Sequence, residues 1–117
     1  LIENFIRQPV FSEILSADLL EKEKRFLFSM PARDIFRDTD ETAPVLVQGV
    51  LDCYFEKDGR LVILDYKTDR LDDPEMFRQR YTVQLKLYRR CLADLIGRTA
   101  DKLYIYSFHL DALIEIS

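Results

Sequence analysis

From Val45 to Lys67 apolar residues dominate, many of them β-branched or aromatic, and the polar stretch Lys57-Asp58-Gly59-Arg60 divides them into two runs. An Asp-Gly pair between β-prone runs is a strong hairpin signal, because both central residues of a type I′ turn need positive φ. The pattern predicts two strands, about Val45–Phe55 and Leu61–Lys67, joined by a turn at Asp58-Gly59. In that register Lys57 faces Arg60, and counting back along both strands sets Asp52 opposite Asp65. A one-residue change in loop length would carry Asp52 to the other face of the sheet.

On either side of the hairpin the periodicity changes. Residues 19–30 end in a β-prone run and predict a strand; residues 33–43 are polar and predict a loop, with Pro44 permitting a strand start. Asp73 before Pro74 predicts an N-cap with proline at the first helical position. The helix runs to about Ile96, where Gly97 stops it. It turns Tyr81, Leu85, Tyr88, Leu92 and Leu95 inward, with Gln84 at the border of the stripe. Lys102–Leu110 alternates and is rich in aromatic residues, predicting a further buried strand, and residues 112–117 predict a short one. Residues 1–17 are apolar at close to helical spacing but interrupted at Pro9, which fits one or two short helices.

Composition narrows the class. A chain of 117 residues with 48% hydrophobic content is read as a single domain with a modest core. It opens at Leu1 in mid-pattern and is expected to be a fragment of a larger chain. No apolar run approaches the roughly 20 residues that span a bilayer, and no signal-peptide pattern is present, so a cytoplasmic location without membrane contact is expected. The net charge of −4 argues against a domain that grips nucleic acid by charge alone. Cys53 and Cys91 lack metal-ligand spacing and read as small buried hydrophobes in a reducing compartment.

The hairpin register brings in chemistry. Side chains alternate along a strand, so Asp65 and Lys67 share a face, which Asp52 joins from the other strand. Directly opposed side chains have Cβ atoms about 4.5–5.5 Å apart. Carboxylates that close repel and raise one pKa unless a cation lies between them. Two acids and a lysine on one face of an apolar hairpin thus fit a divalent-metal site, and hard carboxylate oxygens suit Mg²⁺ or Mn²⁺ better than zinc. The same spacing also fits strand-end aspartates that face solvent. Asp69 and Arg70 follow the lysine closely and are expected to pair with each other. His109 is expected to be structural.

The ordered set Gly49-x-x-Asp52, Asp65-Tyr66-Lys67-Thr68 and Gln84-x-x-x-Tyr88 resembles the nuclease domain of AddAB and RecBCD-type helicase–nucleases, within the PD-(D/E)XK superfamily. The similarity is greatest to the C-terminal nuclease domain of AddA-type subunits and runs from about Phe5 to Phe108. It implies an α/β fold with a mixed, mainly antiparallel sheet flanked by helices. It also implies that Asp52, Asp65 and the backbone carbonyl of Tyr66 hold Mg²⁺ or Mn²⁺, and that Gln84 orients a phosphate or water near the acids. Tyr88, and to a lesser degree Tyr81, would assist. Glu23, in a segment similar to the family's Glu-x-Pro-Phe, would be an auxiliary acid, although a solvated charge run from Glu21 to Arg25 explains it as well. The family carries a metal-ligating histidine on an upstream helix; no histidine precedes Asp52 here.

The activity so implied is that of a metal-dependent deoxyribonuclease or exonuclease, with Lys67 stabilising charge or moving a proton. A helicase domain of the same polypeptide, whose ATP-binding motor lies outside these residues, would feed it single strands from unwound duplex. A second helicase–nuclease subunit would be its partner in DNA repair by recombination. The rival from another class is a catalytically inactive nuclease-fold module serving DNA binding or scaffolding.

Overall fold

The structure is a computed structural model that describes residue 17 and residues 19–34 and 39–117. The short helices expected before residue 17 lie outside the described residues, as does part of the loop expected over 33–43. Strand β1 (Leu19–Pro31) ends in a 3₁₀ turn at Ala32–Asp34, and β2 (Pro44–Lys57) and β3 (Arg60–Lys67) follow. Helix α1 (Pro74–Ile96) leads to β4 (Lys102–Ser107) and β5 (Ala112–Ile116).

The five strands form one sheet in sequence order, β1-β2-β3-β4-β5. Every neighbouring pair is antiparallel except β3 and β4. That exception follows from the connection: parallel neighbours need a long crossover, and α1 supplies it. The mixed, mainly antiparallel α/β architecture agrees with the sequence expectation, with one α-helix among the described residues. The β2–β3 turn is also as predicted. Asp58 and Gly59 both have positive φ, at 53° and 81°, and Lys57 pairs with Arg60. The β4–β5 turn uses Asp111 at φ 51°, a residue type that tolerates this region.

Helix α1 is bounded by the residues that predicted it. Asp73 Oδ1 accepts the Glu75 amide at 2.9 Å, and the Gly97 amide, at φ 73°, donates to the Ala93 carbonyl at 2.8 Å. Its buried stripe is shifted from the expected one. Phe77, Leu85, Cys91 and Leu92 are buried, Tyr81 and Tyr88 are half-buried, and Leu95 is 47% exposed. Packing therefore begins at Phe77, one turn before Tyr81, and ends at Leu92, leaving the final turn outside it.

The helix-side core joins Leu61 and Ile63 of β3 to Phe77, Leu85 and Leu92 of α1 and to Leu103 and Ile105 of β4. The opposite face of the sheet carries Cys53, Phe55, Val62, Leu64 and Tyr106. Both cysteines are free and buried. By alternation along β3, Asp65 and Lys67 lie on the same face as Leu61 and Ile63, toward α1.

Candidate active site

The site forms where the strand ladder opens. Pairing of β2 with β3 runs from Lys57↔Arg60 to Cys53↔Leu64, and the next opposed residues in that register are Asp52 and Asp65. On the other edge of β2, pairing with β1 is interrupted at the same place. Glu23 stands opposite Asp52, between the pairs Lys22↔Cys53 and Lys24↔Leu51, with φ 53°. Backbone amides released from a ladder need other acceptors. Asp52 Oδ2 accepts the Tyr66 amide at 2.8 Å, and Asp65 Oδ1 makes a long 3.4 Å contact with the Asp52 amide. The acids thus replace the ladder bonds that their own strands leave open.

Asp65 is buried, at 3% exposure, and its Oδ2 lies 2.8 Å from Lys67 Nζ. Burial pushes its carboxyl up from 3.8 to about 6; the neighbouring Asp52 carboxyl adds to the rise, and Lys67 offsets it only in part. Desolvation and a like charge act together here, the combination expected of an acid pair with one cation too few.

Lys67 is held from the helix as well. Its Nζ donates to Gln84 Oε1 at 3.1 Å and stands 4.3 Å from the centre of the Tyr81 ring. Tyr88, one turn beyond Gln84, is half-buried; its phenol is raised by burial first and then by the charges of Asp65 and Asp52. On the far face of the sheet, the Tyr66 phenol is pushed up to about 12, by burial first and then by Cys53 and the two acids, and its ring lies 6.0 Å from that of Phe108.

The structure brings together Asp52, Asp65, Lys67 and Gln84, with Tyr88 close enough to feel both acids. Glu23 is placed across from Asp52 in the strand register, with its side chain exposed. Among the described residues no three His, Cys, Asp or Glu side chains gather into a group that could hold a metal ion. The two central acids still fit a hard cation. Mg²⁺ is commonly held by one or two carboxylates, its remaining positions going to water and substrate phosphate. A crowded, buried carboxylate pair is also stabilised by such a charge.

Two arrangements differ from the sequence expectation. Asp69 does not pair with Arg70: it accepts the Tyr81 hydroxyl, with its oxygens at 2.8 and 2.7 Å, and Arg80 Nη1 at 2.7 Å. The Tyr81 hydroxyl, followed by Arg80, holds the Asp69 carboxyl below its ordinary value. The loop after β3 folds back onto the first turns of α1, a choice that local sequence does not encode. Tyr81 is also more central than its lesser expected role. The signal was its spacing, three residues before Gln84 and seven before Tyr88, which places all three on one helical face. His109, outside the acid site, hydrogen-bonds Asp72 at 2.9 Å and ties the β4–β5 turn to the loop before α1.

No family model matches the chain. Over 119 residues, 98% of its length, it is 36% identical to the A subunit of the ATP-dependent helicase/nuclease of Clostridium botulinum (strain Okra / Type B1). A Bacillus pumilus (strain SAFR-032) protein of the same name is 34% identical over 126 residues, covering 99% of the chain. The chain spans 9% of the length of the first relative and 10% of the second. Among solved structures, "Crystal structure of SSO0001" superposes with a TM-score of 0.54 at 17% identity, over 99% of this chain and 48% of that one, a likeness of fold alone. Among the described residues no helix is long and apolar enough to cross a membrane. By similarity along nearly its whole length, the chain belongs to the AddA-type family of ATP-dependent helicase/nuclease subunits, matching a segment about one-tenth as long as those relatives.

Proposed function

We propose that this chain is the nuclease domain of a helicase/nuclease and that it hydrolyses DNA phosphodiester bonds on the face shared by Asp52, Asp65 and Lys67. The observation that carries this reading is the placement of Lys67 Nζ, 2.8 Å from Asp65 and 3.1 Å from Gln84, beside a second acid. An ordinary surface ion pair would not hold one ammonium among a buried carboxylate, a side-chain amide and an aromatic face.

In this reading Asp52 and Asp65 hold Mg²⁺ or Mn²⁺, and the Tyr66 carbonyl assists. The Tyr66 amide points toward β2, and in extended backbone the carbonyl of the same residue points to the same edge. When bound, such a cation supplies charge relief at the phosphate and acidifies a coordinated water. Lys67 offers a compact point charge to the negative charge that develops at phosphorus. Gln84 keeps the ammonium turned toward the acids. Tyr88 borders the same space and supplies a hydroxyl for orienting a phosphate oxygen or water. Glu23 serves as an outer acid facing Asp52. The substrate is DNA, delivered as single strands by a helicase domain of the same polypeptide working with a second subunit during double-strand break repair. The names of the relatives support that setting.

The test is Mg²⁺- or Mn²⁺-dependent degradation of single-stranded DNA by the full-length protein, beside its Asp65→Ala and Lys67→Ala variants. Loss of cleavage in both, with the fold retained, is expected. A folded wild-type protein that neither cuts DNA nor binds Mn²⁺ by calorimetry overturns the reading. It would favour the inactive module, for which the lack of a third gathered ligand among the described residues speaks.

A further inference from the structure

We infer that Asp69 and Tyr81 are positioning residues that seat Lys67, an inference that rests on the nuclease reading for its catalytic consequence but not for its geometry. Lys67 and Asp69 are two apart where β3 runs out into its loop, and they grip the same tyrosine at two points. Lys67 Nζ lies 4.3 Å from the centre of the Tyr81 ring, and the Asp69 carboxylate takes the Tyr81 hydroxyl at 2.7–2.8 Å. The ring is fixed from a third direction by Phe77, fully buried, whose ring is stacked with it at 6.5 Å. Arg80, the residue before Tyr81, donates to the same Asp69 carboxylate at 2.7 Å, so the loop is fastened to the helix by both residues.

The consequence concerns the freedom of a lysine. A lysine side chain has four rotatable bonds and a strongly hydrated head, and an ion pair alone fixes it poorly. Here one anchor, Asp65, belongs to the acid pair itself. The other anchors, Gln84 and the Tyr81 ring, come from α1. Those helix-side anchors keep Nζ in place whatever else Asp65 binds. The Tyr81 ring does so only while its own orientation is set, and the Asp69 carboxylate sets it. The path is therefore Asp69 to Tyr81 to Lys67, with no contact from Asp69 to substrate required.

The experiment reads Lys67 directly. Competitive labelling of amines in the folded full-length protein, without nucleic acid and with peptide-level mass spectrometry, gives the reactivity of Lys67 relative to Lys57 and Lys102. Replacing Tyr81 by leucine is expected to raise Lys67 labelling by about tenfold, the scale of one lost cation–π contact, with the other two lysines unchanged. Asp69→Ala and Tyr81→Phe each cut the same link, so each should give a smaller rise. The double variant should equal either single one, because members of one chain of contacts are not additive. In parallel, kcat for single-stranded DNA should fall in the order of the labelling changes while KM stays put.

Unchanged Lys67 labelling in Tyr81→Leu, or additive effects of Asp69→Ala and Tyr81→Phe, overturns the inference. The two readings fail separately. If Lys67→Ala retains full cleavage, the nuclease role falls while the labelling result still judges the seat. If Lys67→Ala is inactive but Tyr81→Leu alters neither labelling nor kcat, the seat alone falls.

Discussion

Asp52 accepts the backbone amide of Tyr66 through Oδ2 at 2.8 Å, so one acid of the candidate site is also a backbone partner of the strand that carries the other acid. Site and sheet are joined at this point. The ladder gives up its regular bond there, and a carboxylate that could face a cation takes its place. Substitutions of the two acids therefore have structural and chemical effects that can be separated.

For Asp52 the separation is between alanine and asparagine. Asp52→Ala leaves the part-buried Tyr66 amide without its acceptor and should cost about 1–2 kcal/mol in urea unfolding. Asp52→Asn keeps an oxygen for that amide and should unfold close to wild type. Both should lose cleavage of single-stranded DNA. Equal stability of the alanine variant and wild type would show that the hydrogen bond contributes nothing.

Asp65 predicts a pH dependence. Its folded pKa, about 6, lies above the ordinary 3.8, so the folded state holds the proton more tightly than the unfolded chain. Stability of the metal-free protein should then fall as pH rises from about 4 to about 6. Asp65→Asn removes that slope. With chelator present it should be the more stable protein above pH 6, by on the order of 1–2 kcal/mol, and it should be inactive. Denaturant midpoints measured from pH 4 to pH 8 on both proteins decide this; parallel curves would refute it.

Added Mg²⁺ or Mn²⁺ should act in the opposite sense to the carboxylate repulsion. A ligand that binds only the folded state raises the thermal midpoint in a concentration-dependent way. The rise is expected in wild type and absent in the Asp52→Asn, Asp65→Asn double variant. A rise of the same size in both would place the cation elsewhere.

Gln84→Ala should leave the fold intact, since the side chain stands at the border of the packed stripe, and should reduce kcat by about 10–100-fold, the usual cost of losing an outer orienting partner. Steady-state kinetics beside circular dichroism checks this. Wild-type kcat would remove Gln84 from the site.

Gly59→Ala is the matching control for the fold. The position has φ 81° with open space around it, so the substitution costs about 1 kcal/mol through backbone conformation alone. Thermal unfolding should report the loss, while activity per folded molecule stays at wild type.

The sequence by itself determined whatever depends on neighbours in the chain. Asp58-Gly59 set the turn, because positive φ at two successive positions is inexpensive for few other pairs, and the turn set the register that opposes Asp52 to Asp65. Asp73, Pro74 and Gly97 bounded the helix through caps that act within one turn. Alternation then placed Asp65 and Lys67 on one face. The family likeness pointed to Gln84 and Tyr88, which lie four apart on one helical face. Tertiary structure alone decided the rest. That β3 lies parallel to β4, with α1 over the acids, depends on how the crossover packs. The opening of both ladders at Asp52 depends on where Glu23 breaks the pairing with β1. The reach of Asp69 to Tyr81 and Arg80, rather than to Arg70, depends on a loop folding back onto a helix. The exposure of Leu95 depends on where packing along α1 ends. Spacing shows which residues can share a face; only packing decides what that face meets.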